Sequence, residues 1–131
     1  MKYAMKTIIL SAFLVFISIA TSTQTRSELM EIFDEAEYFF NREEYADALF
    51  YYTQLYKYDP NNASLNYKIG TCLLKIKGKD AESIPFFEKA VKNTTTKYKR
   101  RSFNERRAPF HSLYYLGNAY RMNNEIEKAL A

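Results

Sequence analysis

Small and apolar residues recur along this chain at helical spacing, in a pattern that comes back three times. Ile32, Ala36 and Phe39 are followed by Ala48, Tyr52 and Leu55; Ile69, Gly70 and Leu73 by Ser83, Phe87 and Ala90; Leu113, Leu116, Gly117 and Tyr120 by Ala129. A period of three to four residues places each set on one face of a helix. The pattern predicts helices over about 27–41, 44–58, 63–76, 80–93 and 109–122, with a sixth from 124 onward. Asp59-Pro60-Asn61-Asn62 reads as the turn after the second helix, since Pro ends the preceding helix and Asn62 can cap the next. Asp80 is the expected cap of the fourth helix. Pro85 just past that helix's first turn means that it starts late or bends there.

Two segments fall outside this pattern. Lys2 and Lys6 precede an uncharged run from Thr7 to Ala20, shorter than the roughly 20 apolar residues a spanning helix needs. Small residues at Ser18 and Ala20 offer a cleavage point, so residues 1–20 read as a secretory signal peptide, with an uncleaved anchor as the alternative, and 21–26 as a linker. No cysteine follows the run to carry a lipid. The second segment, 94–108, is polar and basic. It reads as a solvated insertion or, because Tyr98 and Phe103 interleave its cations, as an element that grips an anionic surface through Lys97, Lys99, Arg100, Arg101, Arg106 and Arg107.

Composition narrows the class. Only three Gly and three Pro in 131 residues, with many charged residues, argue for long helices over an all-β fold. Cys72 is the single cysteine, so no internal disulfide staples an exported chain. Although the net charge is only +4, acids crowd Glu28 to Asp47 and bases crowd Lys92 to Arg107, which gives the two ends opposite fields.

The recurrence has a defined length. Ala36 and Gly70 lie 34 residues apart (70 − 36), and Leu113, Leu116, Gly117, Tyr120 and Ala129 match four of five positions of the W-x-x-L-G-x-x-Y…A pattern, with Leu113 for the Trp. The chain thus resembles tetratricopeptide-repeat proteins. The implied fold is all-α, a solenoid of antiparallel helix pairs: repeats at about 29–62 and 63–93, the insertion 94–108, and a truncated repeat at 110–131. Asn66 in the Trp place and Glu35 in a Leu place depart from the pattern. One extra residue near Gly78 and about a dozen in the insertion break the period. Physically, Ala36, Gly70 and Gly117 on the first helices and Ala48, Ser83 and Ala129 on the second let paired backbones approach, and the large residues beside them fill the space.

Catalytic chemistry is not assembled in this pattern. His111 and Cys72 stand alone on different units, and there is no phosphate loop, nucleophile elbow or metal-ligating cluster. The expectation is a non-enzymatic chain without cofactor, metal or small-molecule substrate. A stack of helix pairs can instead bind a protein along the concave face lined by its first helices. The register puts Phe33, Glu37 and Phe40, then Tyr67, Thr71 and Leu74, then Tyr114, Asn118 and Arg121 on that face. Phe33, Tyr67 and Tyr114 recur at one equivalent place, where they either stack on a partner or complete packing between units. Phe33 and Glu37 stand where the family's basic clamp for acidic C-terminal peptides uses Lys and Asn, which argues against that docking role.

The exported part is also similar to the N-terminal region of Gram-negative envelope proteins in which such repeats precede a β-propeller and an outer-membrane-protein-A-like domain. Ser83 to Ala90, the basic insertion, and Ala108 to Tyr120 carry this likeness. It implies a periplasmic or outer-membrane-associated scaffold holding a protein partner, with anchoring to outer membrane or peptidoglycan left to further domains. The alternative is an anionic envelope polymer, peptidoglycan or lipopolysaccharide, bound by the insertion; export makes nucleic acid a poor partner. Because a stable array closes with a polar-faced helix, the last unit reads as the edge of a longer protein, expected to fray from about residue 109 or to self-associate.

Overall fold

A computed structural model describes residues 24–131; the expected signal peptide at 1–20 lies outside the described residues. The helices are α1 (Arg26–Asn41), α2 (Tyr45–Tyr56), α3 (Ala63–Lys75), α4 (Asp80–Ala90), α5 (Ser112–Met122) and α6 (Ile126–Leu130), with two-residue strands β1 (Thr94–Thr95) and β2 (Ala108–Pro109) between α4 and α5. The architecture is an all-α helical repeat of tetratricopeptide type. Helices pair as α1 with α2, α3 with α4 and α5 with α6, and α3 also packs on α2, as α5 does on α4.

Local chemistry sets the helix ends. Thr25 and Glu28 form a reciprocal capping box, the hydroxyl accepting from the Glu28 amide and the carboxylate from the Thr25 amide at 2.8 Å. Asn62 caps α3 as expected, accepting from the Leu65 amide at 3.1 Å. The expectation for α4 is corrected. Lys79 occupies the cap position with no side-chain capping bond, and Asp80 is the first helical residue, where its charge and that of Glu82 favour the positive helix end. Pro85 sits inside α4, so the helix does not start late. α5 begins at Ser112 rather than near 109, because Ala108 and Pro109 are drawn into the pairing with Thr94 and Thr95.

Each pair turns through one residue in the left-handed conformation: Glu43 (φ 61°), Gly78 (φ 83°) and Asn124 (φ 60°). Only the middle unit uses glycine, which adopts this conformation without a Cβ penalty. The single-residue irregularity near Gly78 is therefore a turn variant, and it leaves the crossing intact. There a Cβ on Gly70 would meet the Phe87 ring at 3.1 Å, so the absence of a side chain lets α3 and α4 close on each other. At Gly117 the nearest atom to such a Cβ is the Ala129 carbonyl oxygen at 3.7 Å, an ordinary contact.

The core is continuous across the first two units. Phe33, Ala36, Ala48, Tyr52, Leu55, Leu65, Ile69, Cys72 and Leu73 form one buried cluster. A second, built on Ile84, Phe87 and Ala119 with Tyr67 and Tyr115 against them, joins the middle unit to the last. Burial of this apolar area is the main term holding the stack together.

Candidate functional site: the face lined by the first helices

The basic insertion lies across the face formed by α1 and α3. Its ends are pinned by the parallel pairing of β1 with β2, where the Ala108 amide donates to the Asn93 carbonyl at 2.8 Å and the Phe110 amide to the Thr95 carbonyl at 3.0 Å. Phe103 packs edge-on against Phe33, ring centroids 5.7 Å apart, and the Arg26 guanidinium lies over the Phe103 ring at 5.3 Å. Tyr98 packs against Tyr67 and shares a 2.8 Å hydrogen bond with Ser64. The Arg106 carbonyl accepts from the Ala63 amide at 3.0 Å, which satisfies an otherwise unpaired donor at the start of α3. The reading of 94–108 as a solvated loop is thereby corrected: its aromatics and backbone groups are bound to the repeats.

Lys68 of α3 ties the insertion to the repeat. Its ammonium donates to the Glu37 carboxylate of α1 and to the Arg100 carbonyl, the latter at 2.9 Å. Rings of Phe33, Phe40 and Tyr52 surround it with centroids 5.4–5.6 Å away. Both members of the pair are buried, the Lys68 side chain 2 % and the Glu37 side chain 8 % exposed. The Tyr52 hydroxyl also donates to Glu37, at 2.5 Å, while Glu37 Oε2 has no partner. Burial pulls the Lys68 ammonium below its ordinary value and pushes the Tyr52 hydroxyl up, Glu37 opposing the first effect and adding to the second.

The expected partner-facing residues divide sharply. Phe33, Glu37 and Thr71 are buried, Thr71 spending its hydroxyl on the Tyr67 carbonyl at 2.8 Å. Tyr67 is half-buried among Phe87, Tyr98, His111 and Tyr115, with its hydroxyl 3.1 Å from His111 Nε2. Burial raises that hydroxyl to about 12, so it stays protonated and neutral. On the third unit Asn118 is half-buried, Arg121 exposed and Tyr114 68 % exposed. The first-helix face is thus occupied over α1 and α3 and open over α5.

The expected anionic-surface patch divides as well. Arg106 pairs with Asp59 at 2.7 Å and Arg107 with buried Glu105 at 2.9 Å. Arg100, though exposed, lies over the Phe40 ring and donates to Asn41 at 3.0 Å. Lys97, Lys99 and Arg101 are exposed without an ion-pair partner among the described residues. The small residues at the crossings, Ala36, Ala48 and Ser83, are fully buried, as is Gly70, and Gly117 faces Ala129.

Two cavities flank the docked insertion. A cleft of about 620 Å³ between α1, α2, α3 and the far end of the insertion has an apolar lining of Leu29, Phe33, Leu55, Leu65 and Phe103. A smaller one, about 320 Å³, opens between all three units and the near end of the insertion. Its walls bring together Tyr67, Tyr98, His111 and Tyr115, a convergence that repeat periodicity alone does not reveal.

No hydrogen bond joins Cys72 to His111. The thiol is buried in the first core cluster and pushed up to about 12 by that burial, far from thiolate reactivity, while the imidazole packs on Tyr67 and Tyr115. Among the described residues no group of three or more His, Cys, Asp or Glu side chains could hold a metal ion, and no helix is long and apolar enough to cross a membrane.

Stacked helix pairs with a shared first-helix face define a helical-repeat fold suited to binding. More particularly, the family model described as "Tetratricopeptide repeat" matches residues 33–97, from Phe33 in α1 through the whole second pair and into the insertion. Repeats of this family in general serve as non-catalytic scaffolds for protein–protein interaction. No curated protein and no solved structure matches the chain.

Proposed function

We propose that this chain is a non-catalytic scaffold of the cell envelope, the N-terminal region of a larger protein, which holds a protein partner through its tetratricopeptide repeats. The match over 33–97, on an intact stack of helix pairs, carries this reading. The basic start, short apolar run and small residues at Ser18 and Ala20 support export to the periplasm or outer membrane.

The partner contacts the third unit, because the insertion already covers the first-helix face of the other two. Phe110, Leu113 and Tyr114 are 58 %, 50 % and 68 % exposed there, a run of large apolar side chains at one end of the stack. Tyr114→Ala removes the most exposed of these without touching a core cluster. Chemical crosslinking in envelope extracts should recover a specific protein with the wild-type chain and lose it with this variant. Equal recovery by both refutes the docking site.

A second reading is binding of an anionic envelope polymer, favoured by the three unpaired cations Lys97, Lys99 and Arg101. It requires retention on isolated peptidoglycan or lipopolysaccharide that falls steeply with salt and disappears when those three are replaced by Gln.

A further inference from the structure

The smaller cavity is an unassigned site with a consistent charge. Phe40, Tyr45, Tyr67, Tyr98 and Tyr115 give it aromatic walls, and its cationic groups are Lys68, Lys75 and Arg100, with no carboxylate among its lining residues. Lys68 is already neutralised by Glu37 behind it. Lys75 and Arg100 have no carboxylate partner among the described residues, and of the five donors of a guanidinium Arg100 commits one to the Asn41 side chain. The larger cleft is different. Its lining mixes Arg26, Lys68 and Arg106 with Asp59 and Glu105, and Arg106 already pairs with Asp59, so it favours no one ligand charge.

All three units and the insertion contribute walls: α1 through Phe40, the start of α2 through Tyr45, α3 through Tyr67 and Lys75, the insertion through Tyr98 and Arg100, and the start of α5 through His111 and Tyr115. The insertion is held in place by the Lys68 contact with the Arg100 carbonyl and by the Tyr98–Ser64 hydrogen bond, so these walls are preset before any ligand arrives. Its volume of about 320 Å³ admits an acidic side chain with the residues beside it, at the small end of ligand sites.

We infer that the cavity between Tyr67, Lys75, Tyr98, Arg100 and His111 receives an acidic side chain from the interior of an extended partner segment. This rests on the scaffold reading, whose partner it places against the near end of the insertion as well as the third unit. The carboxylate meets Lys75 and Arg100 at the mouth, and the flanking backbone lies on the tyrosine rings.

The probe is hexaglutamate, with hexaglutamine and polygalacturonate as comparisons, titrated calorimetrically into the full chain. Hexaglutamate should bind saturably and hexaglutamine should not. Lys75→Gln should weaken hexaglutamate binding about tenfold, the size of one lost charge-assisted hydrogen bond. Lys77→Gln removes the same charge from an exposed residue outside the cavity and should change binding less than about twofold, the scale of a remote surface charge. Equal weakening by the two variants, or equal affinity for hexaglutamine, overturns the inference. Tighter, Lys75-dependent binding of polygalacturonate also overturns it, and assigns the cavity to an anionic polysaccharide. Absent hexaglutamate binding alongside persistent Tyr114-dependent capture overturns the inference while leaving the scaffold standing.

Discussion

Replacing Lys68 by Met should destabilise the fold by about 3–5 kcal/mol, the cost of removing one member of a buried ion pair and leaving the other uncompensated. The structure fixes why the loss is large. Glu37 would keep only the Tyr52 hydroxyl as a donor, in a site already shut off by Phe33, Phe40 and Tyr52, with its second oxygen unpartnered. The Arg100 carbonyl would also lose its donor, loosening the insertion. A domain of about 100 residues holds only about 5–15 kcal/mol in total, and each kcal/mol moves its midpoint by about 4–8 °C. The variant should therefore melt more than about 12 °C below wild type. Pairing it with Glu37→Gln removes both ions and keeps an acceptor for Tyr52, so the double variant should recover most of the loss. Urea unfolding followed by circular dichroism and tyrosine fluorescence reads all four corners of the cycle. A single-variant cost under about 1 kcal/mol, the scale of a surface pair, or a double variant no better than the sum of the singles, would refute the buried-pair account.

Gly70→Ala should cost about 1–3 kcal/mol by forcing the Phe87 ring aside, whereas Gly117→Ala should be neutral or stabilising by up to about 1 kcal/mol, since its Cβ meets only an ordinary contact and Ala is the better helix former; equal effects in urea titrations would contradict the crossing geometry. Glu105 is held at about 2 by hydrogen bonds from the Arg107 side chain, with the Arg107 and Lys99 amides assisting against desolvation. Its folded value lies below its ordinary 4.5, so its stabilisation is complete above pH 4.5 and drains away as the pH falls towards 2; Glu105→Gln should flatten that acid limb, and an unchanged limb counts against it. Cys72 should resist iodoacetamide in the folded chain and react fully in denaturant, and rapid native labelling would show that α3 opens more readily than its burial allows.

Helix positions were legible from the sequence because paired helices impose a period on small and large residues. Ala36 with Ala48 and Gly70 with Ser83 mark the expected crossings, and at Gly70 it is the Phe87 ring, one turn beyond Ser83, that takes up the space. Helix ends were less legible: α5 starts at Ser112 because a strand-like pairing with Thr94 and Thr95 takes Ala108 and Pro109 first, and no local propensity signals that long-range bond.

In the sequence the first-helix face looks open, because its register is right and nothing periodic marks what covers it. Phe103 and Tyr98 were visible as aromatics in a basic segment, yet their docking depends on Phe33 and Ser64, which lie 70 and 34 residues earlier (103 − 33, 98 − 64). Glu37 looked like a partner-facing residue for a similar reason. A carboxylate at a groove position reads as available until its counter-ion is known, and Lys68 lies on the next unit, 31 residues on.

Which part of the first-helix face is free for a partner depends on the insertion lying against α1 and α3 in the free protein. Solution NMR of the isotope-labelled chain tests this most directly. Through-space cross-peaks between the ring protons of Phe33 and Phe103 and of Tyr67 and Tyr98, with slowly exchanging amides at Ala63, Ala108 and Phe110, are the predicted result. Absence of both cross-peaks, with those amides exchanging at solvent rates, would mean that the insertion is free and the first-helix face open from end to end.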